Sequence, residues 1–160
     1  MSAVAVPAAQ KLLTVSVGDV VYCIDVAHVT EIIRLQTITQ IPGVPMHIRG
    51  VINLRGIVIP VIDVRTRFGI ETRDYDERTC IVVVKVRGTM VGCTVDAVLE
   101  VTDIPLDAIQ PPPGAGTELI PSYVKAMAKV KDVVYVLLDT EALLSDTVAN
   151  VAAPAEYASY

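Results

Sequence analysis

Short apolar runs, separated by glycine, proline or charged breaks, fill the chain from Leu12 to Leu144. They predict strands near Leu12–Val17, Val20–Asp25, His47–Asn53, Ile57–Val64, Thr79–Val86, Met90–Val95, Val124–Val130 and Val133–Asp139. Val26 to Ile33 fits a helical turn or a strand, and propensity does not choose between them. Glu141-Ala142-Leu143-Leu144 reads as the start of a terminal helix, and residues 1–10 and 148–160 read as flexible tails.

The most telling stretch is Ile48 to Val64, two apolar runs joined by the polar corner Asn53-Leu54-Arg55-Gly56. The run from Ile57 is apolar on both period-2 faces until Asp63, so protein or a partner must cover both sides of that strand. Pro60 has no N–H for a ladder, which predicts a sheet edge or a bulge. Arg55 marks the tip of the corner, and Arg49 is the other cation in this patch.

The pattern occurs twice. Ile48–Thr66 lies over Val124–Ala142 without a gap, so Arg49 falls on Lys125, Arg55 on Lys131, Val58 on Val134 and Asp63 on Asp139. Upstream, Gly18–Cys23 matches Gly88–Cys93, and Val29-Thr30-Glu31-Ile32 matches Val98-Leu99-Glu100-Val101. Repeating units of several short strands with Gly and Pro turns predict two small homologous barrels or sandwiches in tandem. The expected units are residues 11–70 and 79–146, joined through the polar stretch Gly69–Arg78. Completion of the first by the C-terminal segment, or a strand exchanged between halves, fits the same pattern. Units this small are marginal alone, so they should pack together.

Composition narrows the function. The chain has 160 residues, 52% of them hydrophobic but only 4% aromatic, so its core is built mainly from aliphatic side chains, many of them β-favouring. A formal charge of -5 leaves no basic excess for nucleic acid or for an anionic membrane surface. No apolar run approaches the roughly 18 residues of a membrane span, and a cytoplasmic location is expected. Cys23, Cys80 and Cys93 lie in separate apolar runs and read as reduced core thiols. His28 and His47 have no metal-ligand spacing with them. Pro111-Pro112-Pro113-Gly114 lacks the following Gly-Lys-Ser/Thr of a phosphate loop and reads as a rigid connector. Asp25, Asp63, Asp96 and Asp139 end apolar runs, which suits turn roles better than catalysis. No nucleophile stands in a recognisable setting, so neither a catalytic residue nor a cofactor is expected.

Tyr22-Cys23-Ile24-Asp25-Val26, Val29-Thr30-Glu31-Ile32, Ile41-Pro42-Gly43-Val44-Pro45, Ile48–Gly56, Pro60–Arg65, Val95–Val98 and Ile109-Gln110-Pro111 form an ordered set. Together they resemble the CheW family, the coupling proteins of bacterial chemotaxis, from about Leu12 to Leu144. The resemblance implies a mainly β fold: two tandem SH3-like five-stranded β-barrels packed together with a groove between them, plus short helices including a C-terminal one. It implies a non-catalytic adaptor, recruited to membrane receptor arrays. Its partners would be the cytoplasmic helical hairpin of a methyl-accepting chemoreceptor and the regulatory domain of a CheA-type histidine kinase. Carried over by position, Val29, Glu31, Gly50 and Arg55 match residues associated with coupling, with Glu31 and Arg55 expected to pair. Arg34 is the nearer local partner for Glu31.

Ile41, Pro42, Val44 and Asn53 join the candidate surface through the loop and the corner, facing the kinase. Val98 joins it beside Val29 and Gly50 in the groove expected to take the receptor helix. Many relatives have glycine where this chain has Ala126. Two rival readings are a small-barrel nucleic-acid binder and a ligand-binding or enzymatic barrel using the groove. The acidic balance and the six Tyr, single Phe and absent Trp weigh against the first.

Overall fold

A computed structural model describes residues 9–114 and 120–145. Its strands are β1 (Ala9–Val17), β2 (Val20–Asp25), β3 (Val29–Arg34), β4 (Ile48–Leu54), β5 (Ile57–Asp63), β6 (Cys80–Val86), β7 (Thr89–Val95), β8 (Ala97–Pro105), β9 (Ile109–Gln110), β10 (Val124–Val130) and β11 (Val133–Leu138). One short helix, α1, spans Val64–Arg67, and residues 140–145 form a terminal helical turn. The expected tails lie outside the described residues, except that Ala9 and Gln10 open β1.

The strands form two barrel-like sheets, ordered β8-β1-β2-β11-β10-β9 and β3-β6-β7-β5-β4. Sheet membership does not follow the 11–70 and 79–146 division. The β1–β2 hairpin pairs with strands of the second repeat, and the β6–β7 hairpin pairs with strands of the first. Matching repeat to repeat, β3, β6, β7, β5 and β4 correspond to β8, β1, β2, β11 and β10, so both sheets have one strand order with the hairpins exchanged. Local chemistry repeats too. The Asp63 N–H donates to His47 O at 2.7 Å and the Asp139 N–H to Tyr123 O at 2.8 Å. Bulges fall at Ile48/Gly50 and Val124/Ala126.

The exchange explains why so many strands are apolar on both faces. Leu13, Val15 and Ile24 of one sheet meet Ile62, Val82, Val84 and Cys93 of the other in a shared core, which Leu143 and Leu144 of the terminal turn complete. Their alternate neighbours fill the two separate interiors: Leu12, Cys23 and Leu137 in one, Ile59, Val61, Ile81 and Val83 in the other. Alternation therefore sorts residues between two cores rather than between core and water.

The structure settles one open reading, adds one strand and corrects one expectation. Val26–His28 is a 3-10 turn capped by Asp25, whose Oδ1 accepts from the Ala27 N–H at 2.9 Å, and a strand follows from Val29. β8 is a nine-residue edge strand that the sequence does not announce, because it pairs only with β1 and buries only Ala97 and Ile104. Pro60 lies in β5, an interior strand, rather than at an edge or bulge. Its partner Val51 has both backbone groups engaged with Thr39, so that pair exchanges no ladder bonds. The parallel ladder to β7 begins only at Val61↔Gly92, and Pro60 ends a row of bonds without breaking one.

Candidate partner-binding site

The β4–β5 corner is a two-residue hairpin turn between the pair Leu54↔Ile57. Both central residues, Arg55 and Gly56, have positive φ, 50° and 86°, as the favoured hairpin turns require. Asn53 Oδ1 accepts from the Gly56 N–H at 2.7 Å and closes the turn from its own side chain. The turn aims Arg55 back across the sheet toward β3. There it forms a bidentate pair with Glu31: Nη1 donates to Oε2 at 3.1 Å and Nη2 to Oε1. Glu31 chooses this partner over Arg34, three residues away, because β3 turns the side chains of Glu31 and Arg34 to opposite faces.

Arg55 remains 70% exposed while Glu31 is 24% exposed, so the carboxylate anchors and the guanidinium is presented. Hydrogen bonds from Arg55 hold the Glu31 carboxyl below the usual carboxylate range, against the opposing effect of burial and with help from the Arg55 charge. The same bonds keep Arg55 charged. Beside the corner, at the start of β5, Ile57 is 52% exposed and Val58 65%; Ile32, next to Glu31 on β3 but on its opposite face, is 43% exposed. The inner half of β5, from Ile59 to Asp63, is buried. A strand that needs cover on both faces thus has it at one end only.

The other candidates divide by environment. Ile41 and Pro42 are exposed in the loop after β3, whereas Val44 packs against the shared core and anchors that loop. Val29 and Val98 are both partly buried against the same core from opposite sheets. Gly50 is buried, with φ at 146°, and a Cβ there would stand 2.0 Å from the Thr39 carbonyl oxygen. Its glycine is required by the Thr39↔Val51 bridge. Ile32 and Met46, 89% exposed, extend the surface beyond the sequence-based set. Adjacent Ile32 and Ile33 on a strand must face opposite ways, so their pattern carries that signal but not its direction.

The strand-ending carboxylates serve turns. Asp63 Oδ1 accepts from the Arg65 N–H at 3.0 Å and Asp139 Oδ1 from the Ala142 N–H at 3.0 Å. Asp96 accepts from the Gly18 N–H at 2.8 Å and from Arg65. Burial pushes the Cys23 and Cys93 thiols up to about 12, consistent with core packing. Among the described residues, no group of three His, Cys, Asp or Glu side chains is arranged to hold a metal ion.

Comparison with known proteins gives this surface a context. The family model for the CheW-like domain matches residues 11–148. The chain belongs to the CheW family. It is 34% identical over 136 residues to the chemotaxis protein CheW of Klebsiella aerogenes, covering 85% of this chain and 82% of that protein. It is 33% identical to the probable chemotaxis protein CheW of Rhizobium etli, over 89% of this chain and 92% of the relative. The crystal structure of the scaffolding protein TtCheW from Thermoanaerobacter tengcongensis superposes with a TM-score of 0.76 at 37% identity, covering 82% of this chain and 89% of that one. Two barrel-like sheets sharing a core are thus the architecture of a CheW-family scaffold. No helix among the described residues is long and apolar enough to cross a membrane.

Proposed function

We propose that this chain is a non-catalytic adaptor in chemotaxis signalling. It couples the cytoplasmic helical hairpin of a chemoreceptor to the regulatory domain of a CheA-type histidine kinase, in the cytoplasm at membrane receptor arrays. The observation that carries the reading is the Arg55–Glu31 fork, bidentate and exposed, at a corner that leads into the uncovered Ile57 and Val58. A planar guanidinium oriented by a buried-side carboxylate gives direction, and the apolar rim gives affinity. On this reading the corner and the Ile41-Pro42 loop face the kinase. Val29 and Val98, which meet the shared core from the two sheets, border the groove that takes the receptor helix.

The test is titration of the purified chain with the purified kinase, and separately with receptor fragments, comparing Arg55→Ala and Val58→Asp with the unaltered chain. Loss of kinase binding at unchanged melting temperature supports the assignment. Unchanged binding of both partners by both variants would remove the corner from the interface.

A further inference from the structure

One turn is built twice. Pro45-Met46-His47 leads into β4, and Pro121-Ser122-Tyr123 leads into β10 at the matching place of the second repeat. The Ile48 N–H donates to Pro45 O and the Val124 N–H to Pro121 O, both at 3.0 Å. The His47 and Tyr123 carbonyls in turn accept from the N–H groups of Asp63 and Asp139. Both turns are therefore held from two sides by the same bonds.

The residue after the proline is exposed in both copies, but it is serine in the second and methionine, 89% exposed, in the first. Serine suits water there. Met46 belongs to none of the three apolar cores and packs against none of them, whereas Met90 and Met127 are partly buried. Its neighbours widen the apolar surface: Ile41 is 41% exposed, Pro42 and Pro45 are exposed, and Val44 roots the loop in the shared core. Scattered apolar residues on a surface carry no message, but a cluster on a rooted loop marks a contact surface. Methionine, unbranched and polarizable, adapts its shape to the surface it meets.

We propose that Met46 is an apolar anchor through which this loop grips the regulatory domain of the kinase, seated in an apolar pocket of that partner. The inference rests on the kinase-facing reading of the Ile41-Pro42 loop, and continuity with those two residues assigns Met46 to the kinase rather than to the receptor helix. Met46 and Arg55 flank opposite ends of β4, whose seven residues span roughly 20 Å, and a standard interface of about 800 Å² per partner reaches across that distance. Arg55 then gives direction at one end, and Met46 gives buried apolar area at the other.

Met46→Ser writes the second copy's residue into the first, and Ser122 shows that the turn accepts it. In calorimetric titration with the purified kinase, Met46→Ser should lose affinity on the order of tenfold at an unchanged melting temperature, while Met46→Leu should stay within about threefold of the unaltered chain. Affinity for receptor fragments should not move. Parental kinase affinity in Met46→Ser overturns the anchor. An equal loss in Met46→Leu also overturns it, because the apolar character of the side chain would then not matter, and so does a loss confined to the receptor fragment. Arg55→Ala, run alongside, separates this inference from the reading it rests on. If Arg55→Ala alone weakens kinase binding, the anchor falls and the kinase-facing corner stands; if neither variant weakens it, both fall.

Discussion

Arg55 and Lys131 hold the same place at the tips of β4–β5 and β10–β11, both at positive φ, 50° and 57°. Their surroundings match as well: Val133 and Val134 are exposed as Ile57 and Val58 are, and Val101 is exposed as Ile32 is. Yet only Arg55 is locked to a carboxylate. Glu100, the counterpart of Glu31, forms no ion pair with Lys131 among the described residues. A lysine cannot offer the two parallel donors that a carboxylate accepts from arginine. Duplication therefore produced two corners of one shape, and a single side-chain type gave one of them a fixed direction.

The same asymmetry runs through the helical turns that follow. Arg65 of α1 clamps Asp96, which also holds the β1–β2 turn through Gly18 N, with side-chain exposures of 14% and 12%. At the matching place Glu141 pairs with Arg87 of the β6–β7 turn, with charges reversed and exposures of 53% and 68%. One clamp is buried and the other is solvated, so their contributions to stability should differ.

The sharpest break of the comparison is Gly50→Ala against its mirror, Ala126→Gly. Because the new Cβ would meet the Thr39 backbone, Gly50→Ala should lose about 3 kcal/mol or more in urea unfolding. Next in size, Arg65→Met should cost about 2 kcal/mol by stranding Asp96, while Glu141→Gln stays within about 1 kcal/mol. Equal losses from these two would mean that burial does not separate the clamps.

Asp96 adds a pH dependence. Burial would raise its carboxyl, but hydrogen bonds from Arg65 and the Gly18 N–H, with the Arg65 and Arg73 charges, hold it below the usual carboxylate range. A depressed folded pKa contributes stability that is present above the unfolded value of about 3.9 and is lost as pH falls through the folded one. The urea midpoint should therefore drop as pH is lowered from about 5 toward 3. In Arg65→Met that drop should be shallower.

Arg55→Lys gives the first corner the cation of the second. If the proposed kinase contact holds, affinity for the kinase should fall on the order of tenfold with the melting profile unchanged, and parental affinity would show that charge alone suffices there. Ala126→Gly is the smallest expected effect, about 0.5–1 kcal/mol of lost stability, because Ala126 already fits its strand.

That the chain is built from strands, that its pattern occurs twice and that Arg55 stands at the tip of a corner can all be read along the chain. Each of these is a local property: alternation, turn residues and self-similarity are legible along the chain. The sequence also carried the family resemblance that the comparisons bear out. The tertiary structure decided which strands pair, since exchanging the β1–β2 and β6–β7 hairpins leaves every local pattern unchanged. It decided that β8, with only Ala97 and Ile104 buried, is a strand at all, and that Pro60 ends a ladder inside a sheet. It decided that Glu31 turns to Arg55 rather than Arg34, and that Gly50 serves Thr39. Long-range pairing selects one arrangement from several with equal local merit, and that selection is made by the core the two sheets share.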